Sequence, residues 1–210
     1  MTGLPASLHR CAGWLIACAA GAALDATAFT VTISSGPRSL YMVVGNGTMS
    51  GRYDSGGTPG NNATINTVTA SVSAANLGAG PVAMTTNSST TNSLYDNYVF
   101  CSVPTQVYVA GFFRAPGTVG SASLTVTAPA NLVSGSNTLP FNTISWQSGG
   151  NGDAVPTIPS GSFIGGASQN LLAVPANTWF ESCLAFSYAN GSLPAAGTYT
   201  GRATYTLTAP

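Results

Sequence analysis

The sequence predicts an all-β protein, an antiparallel β-sandwich of about 10–12 strands. Three observations predict it. Apolar residues alternate with Thr and Ser or gather in short runs rich in Val, Ile, Tyr and Phe, while helical periodicity is missing almost everywhere. Clusters of Gly, Pro and Asn break these runs at intervals of roughly 8–15 residues, the spacing of turns in a sandwich or barrel. Charged residues are only 5% of the chain against 44% hydrophobic, so the surface is built from neutral Ser, Thr and Asn rather than from the usual quarter of charged side chains.

The first element is an export signal. Residues 1–28 contain a cationic start ending at Arg10, an apolar stretch from Cys11 to Leu24 and the small-residue site Ala26-Thr27-Ala28, after which cleavage is expected. The apolar stretch is shorter than the roughly 20 residues a membrane-crossing helix needs. No later run is long enough, so residues 29–210 are expected to form a single domain without a transmembrane helix, secreted or held at the bacterial cell surface. An alternative is that Leu15-Ile16-Ala17-Cys18 acts as a lipoprotein box, with Cys18 lipidated.

Strands are expected at Phe29 to Ser34, Ser39 to Val44, Thr48 to Tyr53, Thr64 to Ser73, Pro81 to Thr85, Tyr95 to Val103, Gln106 to Arg114, Ala122 to Thr127, Thr143 to Gln147, Asn170 to Val174, Thr178 to Tyr188 and Thr198 to Thr208. Gly45-Asn46-Gly47 reads as a tight hairpin turn, because Gly and Asn tolerate positive φ. Long polar loops are expected at Asp54 to Asn62, Thr86 to Ser93 and Ser148 to Asp153. Period two places Gly197, Tyr199, Gly201, Ala203, Tyr205 and Leu207 on one face of the last strand and the threonines on the other. Phe29, Val31 and Ile33 alternate with Thr30, Thr32 and Ser34 in the same way. Tyr98 to Val103 and Trp179 to Tyr188 are apolar on both faces, as central strands are, and each holds one cysteine. In an oxidising compartment Cys101 and Cys183 are expected to form one disulfide across the core, the alternative being two buried thiols.

Several chemistries are excluded once the signal is removed. Five arginines balance five acids, lysine is absent, and the single histidine, His9, leaves with the signal. Net charge zero removes the basic patch that nucleic acid requires. Triads, Cys-His pairs, Schiff-base lysines and histidine metal sites lose their key side chains. Asp54, Asp96, Asp153 and Glu181 could in principle serve glycoside hydrolysis, and Asn151-Gly152-Asp153 could offer oxygens to calcium. Scattered as they are, they read better as loop charges and arginine partners. No catalytic residue, cofactor or metal ligand is therefore expected. Tyr41, Tyr53, Tyr95, Trp146 and Trp179 are candidates to stack on a surface glycan, if they are exposed rather than core. Sequons occur at Asn46, Asn62, Asn87 and Asn190, as chance allows in so Asn- and Thr-rich a chain.

The segment Gly197-Thr198-Tyr199-Thr200-Gly201-Arg202-Ala203-Thr204-Tyr205-Thr206-Leu207-Thr208, with glycine fourteen positions from the end of the chain, resembles the C-terminal strand of bacterial fimbrial subunits of the chaperone-usher or spore-coat-protein-U type. The resemblance covers this strand and the composition of the rest. It implies an Ig-like, pilin-like sandwich that lacks a strand, completed by the N-terminal segment of a like subunit or by a periplasmic chaperone. Phe29, Val31 and Ile33 would then be the donor residues, the alternative being that this strand pairs within its own domain. The expected function is a structural or adhesive one, as a pilus or surface-coat subunit assembling by β-strand addition. The rival expectation is a secreted sandwich that binds carbohydrate or another ligand through its loops.

Overall fold

A computed structural model describes residues 31–50, 58–60, 65–117, 119–150 and 157–210. The export segment and Phe29 lie outside the described residues, as do Tyr53, Asp54, Asn62 and the Asn151-Gly152-Asp153 loop. The described chain is an all-β, sandwich-like assembly of antiparallel sheets. Its strands are β1 (Ser39–Val44), β2 (Met49–Ser50), β3 (Thr58–Pro59), β4 (Val68–Thr69), β5 (Val82–Ala83), β6 (Thr85–Thr86), β7 (Val107–Arg114), β8 (Ala122–Thr127), β9 (Asn131–Ser134), β10 (Asn137–Pro140), β11 (Ile144–Gly149), β12 (Gly161–Ser162), β13 (Ser168–Val174), β14 (Thr178–Tyr188) and β15 (Thr204–Thr208). No helix among them is long and apolar enough to cross a membrane.

The larger sheet has six strands, in the order β1-β7-β14-β11-β12 with β5 also on β14. The smaller has three, in the order β13-β8-β15. At roughly 3.4 Å per residue β14 is long enough to be shared. Its residues Thr178–Ser182 pair with β7, Ser187 and Tyr188 pair with β5, and Cys183–Tyr188 pair with β11. Alternation explains why β7 and β14 are apolar on both faces. Val109 and Phe113, with Phe180 and Leu184, point at the smaller sheet, where Leu124, Val126 and Val174 meet them. Tyr108 and Phe112, with Trp179 and Cys183, point the other way into a second core closed by Ile33, Phe100 and Cys101. The larger sheet is thus the middle layer, covered outside by an N-terminal segment and a long loop.

The predicted bounds of β1, β8 and β14 coincide with the observed ones. Others differ for local reasons. Gly45 does take a positive φ of 71°, but β1 and β2 do not form a hairpin. The Gly45 N–H donates to the Tyr108 carbonyl at 2.6 Å, which extends the β1–β7 ladder. The Asn46 side-chain oxygen meanwhile accepts from the Ser89 N–H at 2.7 Å, so the chain leaves the sheet rather than folding back. The predicted strand Tyr95 to Val103 is a loop that makes a bridge only at Val99; Tyr98 and Val99 are 76% and 79% exposed. Only Phe100 and Cys101 of that apolar run are buried. Conversely, the β9–β10 hairpin is absent from the expected strands, because its turn signal, Gly135 with φ of 59°, sits between segments with few apolar residues. Ser148 and Gly149, expected in a loop, belong to β11.

Asn190 shows what a polar residue does when fully enclosed. It is 0% exposed; its side-chain nitrogen donates to the Asn76 and Gly80 carbonyls at 2.9 and 3.0 Å, and its oxygen accepts from the Gly78 N–H at 3.2 Å. A group so satisfied pins the 76–80 turn to the end of β14. A glycan on Asn190 has no room, which sets that sequon aside.

Candidate functional site: an open sheet edge and a tethered cap

The C-terminal strand carries the predicted alternation. Tyr205 and Leu207 are half-buried against the inter-sheet core, as is Ala203 before the strand, while Thr204, Thr206 and Thr208 are exposed. Burial pushes the Tyr205 phenol above the ordinary tyrosine range. The predicted long strand is shorter, however. Thr200 exchanges backbone bonds with Val133 of β9, at 2.8 and 3.0 Å, and only from Thr204 does the chain pair with β8. The break falls at Gly201, where a side-chain carbon would come within 2.7 Å of Phe141 and 2.8 Å of Leu132. Gly197 lies against the Ser134 side chain and Tyr199 packs on the same core. Six residues predicted on one face thus serve two strand partners.

β15 is the last strand of its sheet. β8 occupies one of its edges, and among the described residues no strand or backbone hydrogen bond occupies the other. Such an edge presents unpaired N–H and C=O groups to any strand that approaches, unless charge, proline or a bulge blunts it. Within Thr204–Thr208 none of these is present. The opposite edge strand, β13, is interrupted by a register shift between Asn170 and Leu172. β1 runs beside β15 in the other sheet without bonding to it, and Arg38 donates to the Pro210 carbonyl at 3.0 Å. On β1, Leu40 shares the inward parity of Met42 and Val44 yet is 37% exposed. The inter-sheet core therefore reaches solvent along the β1/β15 rim.

The second site is the cap over the outer core. Cys101 and Cys183 are joined by a disulfide with Cα atoms 5.5 Å apart. It ties a loop to the central strand β14, rather than joining two central strands as expected. Beside it, Ser93 Oγ donates to Glu181 Oε1 at 3.0 Å and the Tyr108 hydroxyl donates to Oε2 at 2.5 Å. Tyr108 in turn accepts from the Leu94 N–H at 3.0 Å. Glu181 is 3% exposed, and hydrogen bonds to a buried carboxylate are stronger than neutral ones. Its position fits an anchor for residues 93–95. Asp96 accepts from the Tyr98 N–H at 3.0 Å within the same loop. Among the described residues no three His, Cys, Asp or Glu gather as a metal site would require.

Val31 and Ile33 are also part of this cap. The Trp179 N–H donates to the Val31 carbonyl at 3.0 Å, and the Ile33 N–H donates to the Asn177 carbonyl at 2.9 Å. Since β7 holds one edge of Thr178, the N-terminal segment holds the other, beyond the end of β11. Ile33 is 2% exposed. Donation of this segment to another subunit requires breaking these bonds. Of the proposed glycan platforms, Tyr41, Trp146 and Trp179 are core residues at 4%, 3% and 2% exposure. Among the described residues the ring that projects most is Tyr98, 76% exposed, missed because its apolar neighbours make it look like strand. Compared with protein-family models, curated proteins and solved structures, the chain matches none.

Proposed function

We propose that this chain is a non-catalytic extracytoplasmic structural or adhesive protein, a pilus or surface-coat subunit that assembles with like subunits by β-strand addition. The observation that carries the reading is the β15 edge: uncharged, unbulged, and flanked by core side chains that reach solvent. Main-chain bonding gives such an edge affinity for a strand of almost any sequence, and alternate side chains set the fit. Zero net charge removes the repulsion that keeps like subunits apart. The internal disulfide supports an oxidising compartment.

Electron microscopy and immunogold labelling of the natural host's envelope test the proposal. Labelled fibres or a labelled coat, with the chain's amino terminus beginning at Phe29, is the expected result. The same chain found only as dispersed cytosolic protein overturns it.

A further inference from the structure

We infer that the strand added to β15 is β15 of a second copy, paired antiparallel about a two-fold axis through Thr206. This rests on the strand-addition reading and names the partner at this edge; a two-fold pair is closed, so a fibre or coat is built from such pairs through a further contact. An antiparallel edge is complementary to itself, because a two-fold rotation places donors opposite acceptors along both strands.

The register that uses all of Thr204–Thr208 sets residue 206 opposite 206, 205 opposite 207 and 204 opposite 208. Side-chain chemistry then matches on both faces. On the inner face each half-buried Tyr205 meets the second copy's Leu207, an aromatic–aliphatic cross-strand pair that covers apolar surface now left at the rim. On the outer face the exposed threonines meet one another. No charged side chain lies within the strand, so the approach of two copies meets no like-charge repulsion there. The edges of β1 come to the same seam, bringing the exposed Leu40 of each copy toward it. The alternative donor, the N-terminal segment, is already bonded to β14 through Val31 and Ile33, whereas β15 breaks no described bond in order to pair.

Two variants of the full secreted chain test this. Thr206→Cys, purified under air and run without reductant, is expected to give a covalent dimer that wild type does not, because only the two-fold register brings residue 206 within disulfide reach of itself. Thr206→Lys, at an exposed position, places two ammonium groups face to face; light scattering is expected to show twice the monomer mass for wild type and monomer mass for the variant, with unchanged melting. Mixing Thr206→Lys with Thr206→Glu is expected to restore the doubled mass. Wild type that stays monomeric in solution and yields no Thr206→Cys dimer, while fibres or a coat still form on cells, overturns self-pairing and leaves strand addition standing. Absence of assembly both in solution and on cells overturns both.

Discussion

Replacing Cys101 and Cys183 together by Ser is expected to lower the folding free energy by about 4 to 5 kcal/mol, read as the shift in a urea unfolding curve against the oxidised wild type. The bridge spans 82 residues of sequence, and closing a loop of that length removes entropy from the unfolded chain of about this size on the chain-entropy model. The loss falls unevenly. Cys101 is buried beside Phe100 where the 93–101 loop reaches the outer core, so the cap loosens first. Phe100, Leu94 and Tyr95 still pack on that core, and Ser93 and Tyr108 still bond Glu181. A loss under about 1 kcal/mol would show that the unfolded chain is held compact by other means.

Trp179→Ala is expected to cost about 3 to 5 kcal/mol, the range for deleting a large buried aromatic. The indole is 2% exposed and lies within ring-contact distance of Tyr41, Phe112 and Tyr95, with centroids 6.2, 6.2 and 6.0 Å away. Its neighbours come from β1, β7 and the loop, so the void cannot close by moving one element. The midpoint of thermal unfolding should fall sharply. Unchanged melting with loss of binding to a glycan would instead make Trp179 a ligand platform.

Much of the sheet was legible because burial on one or both faces writes itself into the order of residues. β8 alternates Leu124 and Val126 with Ser123 and Thr125, and β14 is apolar without interruption from Trp179 to Phe180 and again from Cys183 to Phe186. The same signal misled at Tyr98 to Phe100, where an apolar run lies across a sheet instead of within one. Strand partners were far less legible. Gly45-Asn46-Gly47 looks like a hairpin by turn chemistry, yet β1 finds β7, more than sixty residues on, because pairing there buries Tyr41 and Val43 in the outer core. The cysteine pair could be read from its count, whereas the loop nature of Cys101 could not. At the candidate site, the alternation of Tyr205 and Leu207 was plain, but nothing in the order of residues says that the neighbouring edge is left open. That follows from β13 and β8 claiming the other positions in the sheet.

Backbone hydrogen exchange along Thr204–Thr208, measured by NMR at high and low protein concentration, tests the open edge most directly. The outward-facing amides are expected to exchange quickly in dilute protein and to gain protection as concentration rises, while those bonded to β8 stay protected throughout. Equal, strong protection of all of them in the dilute monomer would mean that the chain covers β15 with its own residues, and the account of assembly would fall.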